Sequence, residues 1–373
     1  MEGKRVLVIG GGTSGNVMTV LLRRAGIDVD LVEVKEDWNV HGSGITLQGN
    51  ALRVLREIGV WDEVREQGHC SDSLGHTAPD GTVLRVMETV RTGGGDLPAT
   101  LGMQRPVLQR ILVDAVRTSG ANVRLGTTAE ILTQDGTSVT VRLSDGTEGR
   151  YDLVVAADGL QSATRAAIGI DARPEPTGMG IWRVPAPRPA GVERSDLAHG
   201  GPCYIAGYTP TGKDTIYAYL VEPSRDRGTI PPESYAQEMR RLSQGYGGAW
   251  DEIRDSITDP AQVNYTWFER MLVEGSWHRG RVVLVGDAAH CCPPTIAQGA
   301  AMALEDAWVL SQMLTSGSEW DEELLRGYYE RRIDRVRSVV EASVQIGQWQ
   351  LDGVRGDVPG LMYSTMTPLK ELP

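Results

Sequence analysis

A glycine-rich loop near the N-terminus has the residue types and spacing to hold the phosphates of a nucleotide. Gly10, Gly12 and Gly15 follow the pattern G-x-G-x-x-G, directly after the apolar residues 6–9. In this pattern the first glycine permits a tight turn, the second lets the backbone approach a pyrophosphate, and the third lets the next helix pack on its strand. The phosphates then lie at the helix N-terminus, where free N–H groups point outward. The loop is therefore predicted to bind either FAD or NAD.

The elements around the loop support this interpretation. A helix is predicted from Asn16 to Ala25, closed by Gly26, and a second strand from Val29 to Val34 carries Glu33. At this separation from the glycines, an acidic residue accepts hydrogen bonds from an adenosine ribose. A glycine-rich turn in an ordinary α/β protein is the alternative, but it does not require the strand, the helix and the acidic residue together.

The composition limits the possible function classes. With 49 acidic and 37 basic side chains the formal net charge is -12, which opposes nucleic-acid and anionic-membrane binding. No apolar run approaches the ~20 residues of a membrane span, and the first strand begins at about Arg5, so a cytoplasmic protein without a signal peptide is expected. The four cysteines lack C-x-x-C spacing and the six histidines include no H-E-x-x-H, so neither a metal site nor a disulfide framework is indicated.

Two helices are predicted before the middle of the chain. The first begins near Gly49 or Asn50, with Asn50 as its cap, and ends at Gly59. The second begins at Arg105, carries a proline at its start, and ends at Gly120.

Two further apolar strands end in short polar signatures. Residues 153–157 run into Asp158-Gly159, and residues 282–285 run into Gly286-Asp287. Either aspartate could also simply stabilise a turn. The predicted C-terminal elements are a helix over 299–314, an amphipathic helix over about 322–349, and an irregular tail after Gly353.

From about Thr177 the pattern changes to short strands separated by polar turns. Tyr217 and Tyr219 lie on one face of their strand, because side chains alternate with a period of two. Three other aromatic residues could join that face: Trp182, Tyr204 and Trp267. These side chains form either the core of a sheet or a wall for a flat substrate.

The three signatures, at residues 10–15, Asp158-Gly159 and Gly286-Asp287, resemble those of single-component flavoprotein monooxygenases, the class A family of para-hydroxybenzoate and salicylate hydroxylases. The resemblance covers most of the chain. It includes the loop 42–45, the helix motif that begins at Arg105, and the block from Gly286 through Pro294 to Gly299.

The resemblance implies an α/β fold with a Rossmann-like FAD-binding domain of the GR2 type. Residues 1–176 would form the first part of this domain with a β appendage, and residues 177–275 an inserted, mainly β-sheet substrate domain. Residues 276–373 would return to the FAD-binding domain and add the C-terminal helix.

The resemblance also implies roles for individual residues. Glu33 would face the adenosine ribose, Asp287 the ribityl hydroxyls and Arg105 the region near the flavin. Residues 299–300 would aim backbone N–H groups at the pyrimidine edge, where a reduced flavin carries negative charge. The implied cofactor-binding set is Gly10, Gly12, Thr13, Ser14, Gly15, Glu33, Arg105, Asp158, Asp287, Gly299 and Ala300. The implied substrate-pocket set is Trp182, Tyr204, Tyr217, Tyr219 and Pro294.

Other side chains of the last block are expected to be structural. Cys291 and Cys292 are interpreted as small packing residues and His290 as a structural histidine. Position 297 is alanine where many relatives have glycine, although the para-hydroxybenzoate type is similar to this chain there.

The implied reaction uses bound FAD, transient NADH or NADPH, and O2. A flavin C4a-hydroperoxide would insert one oxygen atom into an aromatic or polycyclic small molecule. Epoxidation or Baeyer–Villiger oxygenation on the same scaffold is an alternative, and a non-catalytic nucleotide-fold binding protein is an alternative of another class. Tyr204, Tyr217, Arg183 and His199 are equal candidates for a catalytic base. The substrate stays open, and the protein is expected to be a monomer or a homodimer.

Overall fold

The computed structural model describes residues 3–39, 42–317 and 319–373. Its strands are β1 (Arg5–Ile9), β2 (Asp28–Glu33), β3 (Ile45–Gln48), β4 (His69–Ser71), β5 (Ser73–Thr77), β6 (Val83–Glu88), β7 (Thr100–Met103), β8 (Asn122–Leu125), β9 (Ala129–Gln134), β10 (Val139–Leu143), β11 (Glu148–Tyr151), β12 (Leu153–Ala156), β13 (Glu175–Pro187), β14 (Ser195–Ala198), β15 (Ile205–Pro210), β16 (Thr215–Pro223), β17 (Asn264–Leu272), β18 (His278–Arg279), β19 (Val282–Leu284) and β20 (His290–Cys291). Its α-helices are α1 (Thr13–Arg24), α2 (Gly49–Glu57), α3 (Trp61–Gln67), α4 (Arg105–Ser119), α5 (Ala163–Ala167), α6 (Tyr235–Ser243), α7 (Ala249–Ser256), α8 (Gly299–Thr315), α9 (Glu322–Leu351) and α10 (Val358–Met366).

The first sheet has the strand order β18-β19-β12-β1-β2-β8. Its central strands β19, β12, β1 and β2 run parallel, and β8 continues them in parallel. Alternate residues of β1 pack in different layers: Val6 and Val8 join the helices, while Leu7 and Ile9 pack on the small sheet β9-β10-β11. Both faces are therefore covered, which explains why these strands are apolar throughout.

The second sheet has the order β20-β17-β13-β16-β15-β14-β5-β6 and is mainly antiparallel. Helices α6 and α7 cover one face and enclose a separate apolar cluster. The other face meets β7 and α9. The hairpin β5-β6 and strand β20 also pair into this sheet. The predicted domain boundaries at 176/177 and 275/276 stay a prediction.

The C-terminal tail corrects one expectation. The tail after Gly353 was predicted to be irregular, but residues Val358–Met366 form α10. Asp357 caps this helix by accepting a hydrogen bond from the N–H of Gly360, and Met366 is buried against the first core. The segment lacks helical periodicity, so its order depends on this tertiary contact. Within the described ranges, no helix is both long and apolar enough to cross a membrane.

Candidate active site

The carboxyl edge of the first sheet brings the predicted cofactor residues together. Loop 10–15 follows β1, Glu33 ends β2, Asp158 follows β12, and Asp287 lies in the 3-10 turn Gly286–Ala288 after β19. These four strands are consecutive in the sheet, so the ends of β2 and β19 lie three interstrand spacings apart, about 14 Å. A ligand that contacts both Glu33 and Asp287 must therefore be extended, as a dinucleotide is.

The three glycines of loop 10–15 serve different purposes. A Cβ on Gly10 would lie 2.3 Å from the carbonyl oxygen of Ala157, and one on Gly15 would lie 1.9 Å from the carbonyl oxygen of Gly10. Both glycines are therefore required by the packing of the protein itself. A Cβ on Gly12 would meet no atom of the described residues within 4 Å, so this glycine faces open space at the N-terminus of α1.

Distant side chains hold the backbone of the loop at Gly11. The carbonyl oxygen of Gly11 accepts hydrogen bonds from Asn16 Nδ2 at 2.9 Å, Trp38 Nε1 at 2.9 Å and Gln109 Nε2 at 2.8 Å. The N–H of Gly11 donates to Glu33 Oε2 at 2.7 Å. This places Glu33 directly beside the loop, as predicted from the spacing. Sequence reasoning missed Trp38 and Gln109, because they lie 27 and 98 residues from Gly11.

Asp287 and Arg105 face the same cleft. The Asp287 side chain reaches solvent, but the surrounding protein replaces much of its hydration and raises the pKa of its carboxyl group, with His290 and Arg105 opposing this effect. Arg105 is exposed at the start of α4, and a Cβ on Gly42 would lie 3.2 Å from its Cδ. The carboxylate and the guanidinium are thus available to the polar part of a ligand.

The N-terminus of α8 points a second set of backbone donors outward. Gln298 precedes the helix, and its first turn, described in full, carries neither a side-chain cap nor an acidic residue. The N–H groups of Gly299 and Ala300 therefore lack intrahelical acceptors and suit an electron-rich ligand edge. Ala297, just before the helix, has a left-handed φ of 53°.

Tyr217 and Tyr219 lie on the face of the second sheet that meets the loop 42–45. The register pairs Tyr219 of β16 with Arg183 of β13, so Arg183 shares their face. A Cβ on Gly44 would lie 2.1 Å from Cδ1 of Tyr217, and the hydroxyl groups of Tyr217 and Thr46 are 3.2 Å apart. Strand β3 and the loop before it therefore contact the second sheet at Tyr217.

Arg183 is a cation in an unusual environment. It donates to the hydroxyl of Thr266, and none of the ion pairs found in residues 3–39, 42–317 and 319–373 includes it. Burial, followed by the nearby charge of Arg105, lowers the pKa of Arg183 to about 10. The side chain still carries its charge at neutral pH, so a ligand group can supply the missing anion.

Comparison with known proteins decides which ligand the edge holds. Residues 4–343 match the family described as FAD binding domain. The chain belongs to the class A FAD-dependent monooxygenases. It is 31% identical over 352 residues to the aurachin C monooxygenase/isomerase of Stigmatella aurantiaca, covering 93% of this chain and 91% of that protein. It is 30% identical over 357 residues to the 2-heptyl-3-hydroxy-4(1H)-quinolone synthase of Pseudomonas aeruginosa, covering 92% and 90%.

The chain is also similar to a solved structure, that of tetrameric 2-methyl-3-hydroxypyridine-5-carboxylic acid oxygenase. Its sequence is 25% identical, its TM-score is 0.82, and the match covers 98% of this monooxygenase and 96% of that chain. The predicted fold class, family and enzyme class are confirmed. FAD is the cofactor, and NAD(P)H and O2 are the reactants typical of the family.

The residues of this monooxygenase fit FAD. The open space at Gly12 and the uncapped N-terminus of α1 suit a pyrophosphate. Glu33 and Asp287, at opposite ends of the edge, can accept hydrogen bonds from ribose and ribityl hydroxyls. The N-terminus of α8 can hold the pyrimidine edge of the flavin. Each of these individual roles stays a prediction.

Asp158 has a clear structural task in this monooxygenase. Its carboxylate accepts hydrogen bonds from Ser162 Oγ at 2.5 Å and from the N–H of Thr164 at 3.0 Å. It thereby stabilises the turn that starts at Gly159, whose φ is 79°. A contact of Asp158 with a nucleotide stays a prediction.

Trp182 is not part of the face that carries Tyr217. The register pairs Trp182 with Leu220, and the side chain is fully buried beneath α6. Its Nε1 donates to Glu222 Oε1 at 2.7 Å, and its ring packs edge-on against Tyr235. The expectation that Trp182 could join the face of Tyr217 and Tyr219 is wrong, because neighbouring residues of a strand point to opposite faces and Arg183 lies on that face. A role of that face in substrate binding stays a prediction.

The other predicted pocket residues are placed differently. Tyr204 packs with Tyr219 in a small apolar cluster on the face that carries Tyr217. Trp267 lies on the opposite face, in the cluster beneath α6 and α7. Pro294 is exposed in the 3-10 turn that leads into α8, and its place beside the substrate stays a prediction.

The two cysteines near the site behave as packing residues. Burial raises the pKa of Cys292 to about 12 and holds that of Cys291 well above its usual value, so both stay protonated thiols at neutral pH. The position of a Cβ on Gly299 lies 3.7 Å from Cys292 Sγ. Cys292 therefore packs beneath the first residue of α8.

Proposed function

We propose that this monooxygenase hydroxylates a flat aromatic molecule that presents an anionic oxygen to Arg183. The observation that carries this proposal is the lack of a carboxylate partner for Arg183 among the described residues. A half-buried cation without a carboxylate partner is unfavourable, and a substrate anion would provide the compensation. Arg183 lies beside Tyr217 and Tyr219, so the bound anion would lie next to the surface formed by these two rings.

The protein groups have three tasks in this proposal. The rings of Tyr217 and Tyr219, with centroids 5.4 Å apart, provide an apolar surface for the substrate ring. Arg183 orients the ring through the anion, and the contact of loop 42–45 with Tyr217 limits access of water. Bound FAD supplies the redox chemistry with NAD(P)H and O2. Burial keeps the pKa of Tyr219 above its usual value, so Tyr219 stays neutral.

The names of relatives support a nitrogen heteroaromatic substrate. One relative is named for a 3-hydroxy-4-quinolone, and a solved neighbour for a hydroxypyridine carboxylic acid. Both names describe a ring with an oxygen substituent that either ionises or carries high electron density. Hydroxylation of such an electron-rich ring is the reaction we propose, in preference to epoxidation or Baeyer–Villiger oxygenation.

Cofactor binding is the first test. The purified protein, reconstituted with FAD, is expected to show a flavin absorption spectrum. Asp287→Ala should weaken FAD between about tenfold and about hundredfold, because a hydrogen bond to a charged group contributes about 1.5–3 kcal/mol. The exposed carboxylate variant Asp62→Ala is the control and should bind FAD normally. Equal affinity of Asp287→Ala and wild type would show that the assigned role of Asp287 is wrong.

The substrate test measures stimulated NAD(P)H oxidation. Hydroxyquinolones, hydroxypyridines and phenols, each with and without an ionisable oxygen, are compared, and products are examined by mass spectrometry for one added oxygen atom. Arg183→Gln should raise KM for ionisable substrates between about tenfold and about hundredfold, with a smaller effect on their neutral methyl ethers. An equal effect on both series would contradict the proposed anion contact.

The location and the oligomeric state of the protein belong to the same proposal. A cytoplasmic location and a monomeric or homodimeric state both stay predictions. Mass determination of the FAD-loaded protein by light scattering would decide the oligomeric state.

A further inference from the structure

Five ionisable side chains form a buried charge cluster behind the flavin side of the cleft. The members of this cluster are His290, Glu305, Asp306, Arg332 and Arg335. Glu305, Asp306 and Arg332 are at most 1% exposed. Burying charges is unfavourable unless each is paired and hydrogen-bonded. A cluster of this kind therefore places strict demands on the geometry of the elements that carry it.

One arm of the cluster leads to Asp287. Arg332 Nε donates to Asp306 Oδ1 at 2.8 Å. The other oxygen of Asp306 accepts hydrogen bonds from the N–H of Gly286 at 2.9 Å and from His290 Nε2 at 2.6 Å. Gly286 begins the turn that carries Asp287, and His290 is the first residue of β20, shortly after that turn. The Asp306 carboxylate thus ties the start of this turn and the strand after it to α8, and Arg332 ties Asp306 to α9.

The second arm leads to the N-terminus of α8. Arg332 Nη1 donates to Glu305 Oε2 at 2.9 Å, and Asn50 Nδ2 donates to Glu305 Oε1 at 3.0 Å. The same Asn50 amide group exchanges hydrogen bonds with the side chain of Gln298, at 3.1 and 3.2 Å. Gln298 directly precedes the N–H donors of α8. Asn50 was predicted to cap α2, which is wrong: Gln48 precedes that helix, and the Asn50 side chain serves this arm instead.

We propose that Arg332 is a positioning residue for the flavin. It fixes the separation between the turn of Asp287 and the N-terminus of α8, the two segments assigned to the ribityl chain and the pyrimidine edge. Glu305 and Asp306 are neighbours on one helix, and the planar guanidinium of Arg332 bonds to both carboxylates from separate nitrogens held in one rigid fork. The inference rests on the FAD site described above.

Arg335 provides a matched comparison in the same cluster. It also lies on α9 and donates to both oxygens of Glu305, from Nε and Nη2, at 2.8 Å. It makes no hydrogen bond to Asp306 among the described contacts, and its remaining donors go to backbone carbonyls of the C-terminal tail, including that of Leu369. A purely structural role for the cluster predicts similar effects of changing Arg332 and Arg335. A positioning role predicts different effects.

The test uses Arg332→Lys and Arg335→Lys in the full chain. Each variant keeps its charge but loses the fork of donors. For each we measure the thermal midpoint of the apoprotein, the Kd for FAD from quenching of flavin fluorescence, and the visible spectrum of the bound flavin. Arg332→Lys should raise the Kd at least tenfold and shift the flavin spectrum. Arg335→Lys should lower the thermal midpoint by a similar amount as Arg332→Lys does. Its Kd for FAD, however, should stay within twofold of the wild-type value.

Four outcomes of these measurements are informative. A wild-type Kd and spectrum for Arg332→Lys would overturn the proposal, as would equal effects of both variants on FAD binding. If Arg332→Lys does not fold, Asn50→Ala decides, because it interrupts only the second arm: a raised Kd supports the proposal and an unchanged Kd overturns it. Failure of the wild-type protein itself to bind FAD would instead overturn the cofactor assignment.

A double-mutant cycle gives an independent check. Arg332→Lys should weaken FAD less in an Asp287→Ala background than in wild type, because the turn it positions no longer carries its ligand group. Strictly additive effects on the Kd would show that Arg332 does not act through Asp287.

Discussion

The first sheet carries its predicted cofactor groups at the carboxyl ends of its strands, whereas the second sheet carries its proposed substrate groups on one face. At the edge, each group follows the end of a strand: the glycine loop after β1, Glu33 at the end of β2, and Asp287 after β19. On the face, Arg183 and Tyr219 lie inside strands, and a single residue of shift exchanges Arg183 for Trp182. The positions of the groups at the edge are therefore set by where the strands end, and the positions of those on the face by the register of strand pairing.

This difference explains which residues are easily recognised. Edge groups stand beside apolar runs and glycines, so a local pattern marks them. Face groups are marked only by the period of two, which relates residues within a strand but not across strands. Arg183 and Tyr219 share a face only because β13 and β16 pair in the observed register.

The largest expected effect distinguishes Gly15 from Gly12 in the glycine-rich loop. Gly15→Ala should destabilise the apoprotein by about 3 kcal/mol, since its Cβ would collide with the backbone at Gly10. Gly12→Ala should change stability by less than about 1 kcal/mol, yet weaken FAD at least tenfold by filling the space next to the pyrophosphate. Chemical denaturation and FAD titration measure the two quantities. Normal FAD binding by Gly12→Ala would remove the distinction between packing and ligand glycines.

The next prediction compares the two sides of the second sheet. Trp182→Phe should cost about 2 kcal/mol of stability, because the buried Glu222 loses a hydrogen-bond donor, while KM for the substrate stays within about twofold of wild type. Tyr217→Phe should show the reverse, with stability changed by less than about 1 kcal/mol and a raised KM or poorer coupling of NAD(P)H oxidation to hydroxylation. If Trp182→Phe changed KM more than Tyr217→Phe does, the substrate would bind on the Trp182 face of the sheet, contrary to the proposal.

Acidification tests the charges behind the edge. Burial alone would raise the pKa of Glu305 and of Asp306. Arg332 and Arg335 instead hold the pKa of Glu305 below its ordinary value. His290 and Arg332 do the same for the pKa of Asp306. Carboxyl groups with a lowered folded-state pKa stabilise fully above the unfolded pKa and lose that contribution as pH falls through the folded value. We expect the Tm of the apoprotein to fall steeply below about pH 4.5.

The matched variant for this measurement is Glu305→Gln. It removes one titrating carboxyl group, so its Tm should start lower at neutral pH and fall less on acidification. An identical pH dependence of variant and wild type would show that the cluster does not cause the acid sensitivity.

The smallest expected effect concerns Ala297. Its left-handed φ of 53° costs about 1–2 kcal/mol for a residue with a Cβ. Ala297→Gly removes this strain but adds flexibility to the unfolded chain, so a gain in stability of up to about 1 kcal/mol is expected. FAD affinity should not change by more than about twofold. A loss of stability, measured by chemical denaturation, would show that the Ala297 methyl group contributes packing that outweighs its strain.

Several elements could be predicted because their signals are local. Helix α4 was expected from Arg105 to Gly120 and spans Arg105–Ser119, with Gly120 in the left-handed conformation at φ 76°. Helix α10 was missed because its order depends on burying Met366, a contact that no local pattern shows. The anchors of Gly11 were missed for the same reason.

The sequence by itself determined the cofactor edge of this monooxygenase. Glycine spacing, apolar strands and the acidic residues that follow them are properties of short segments, and parallel pairing brings their ends to one edge. Only the tertiary structure decided that Arg183 rather than Trp182 shares the face of Tyr217, and that Asp306 of α8 bonds both to Gly286 and to Arg332 of α9. Register and long-range ion pairing depend on elements far apart in the chain, so their geometry follows from the assembled fold alone.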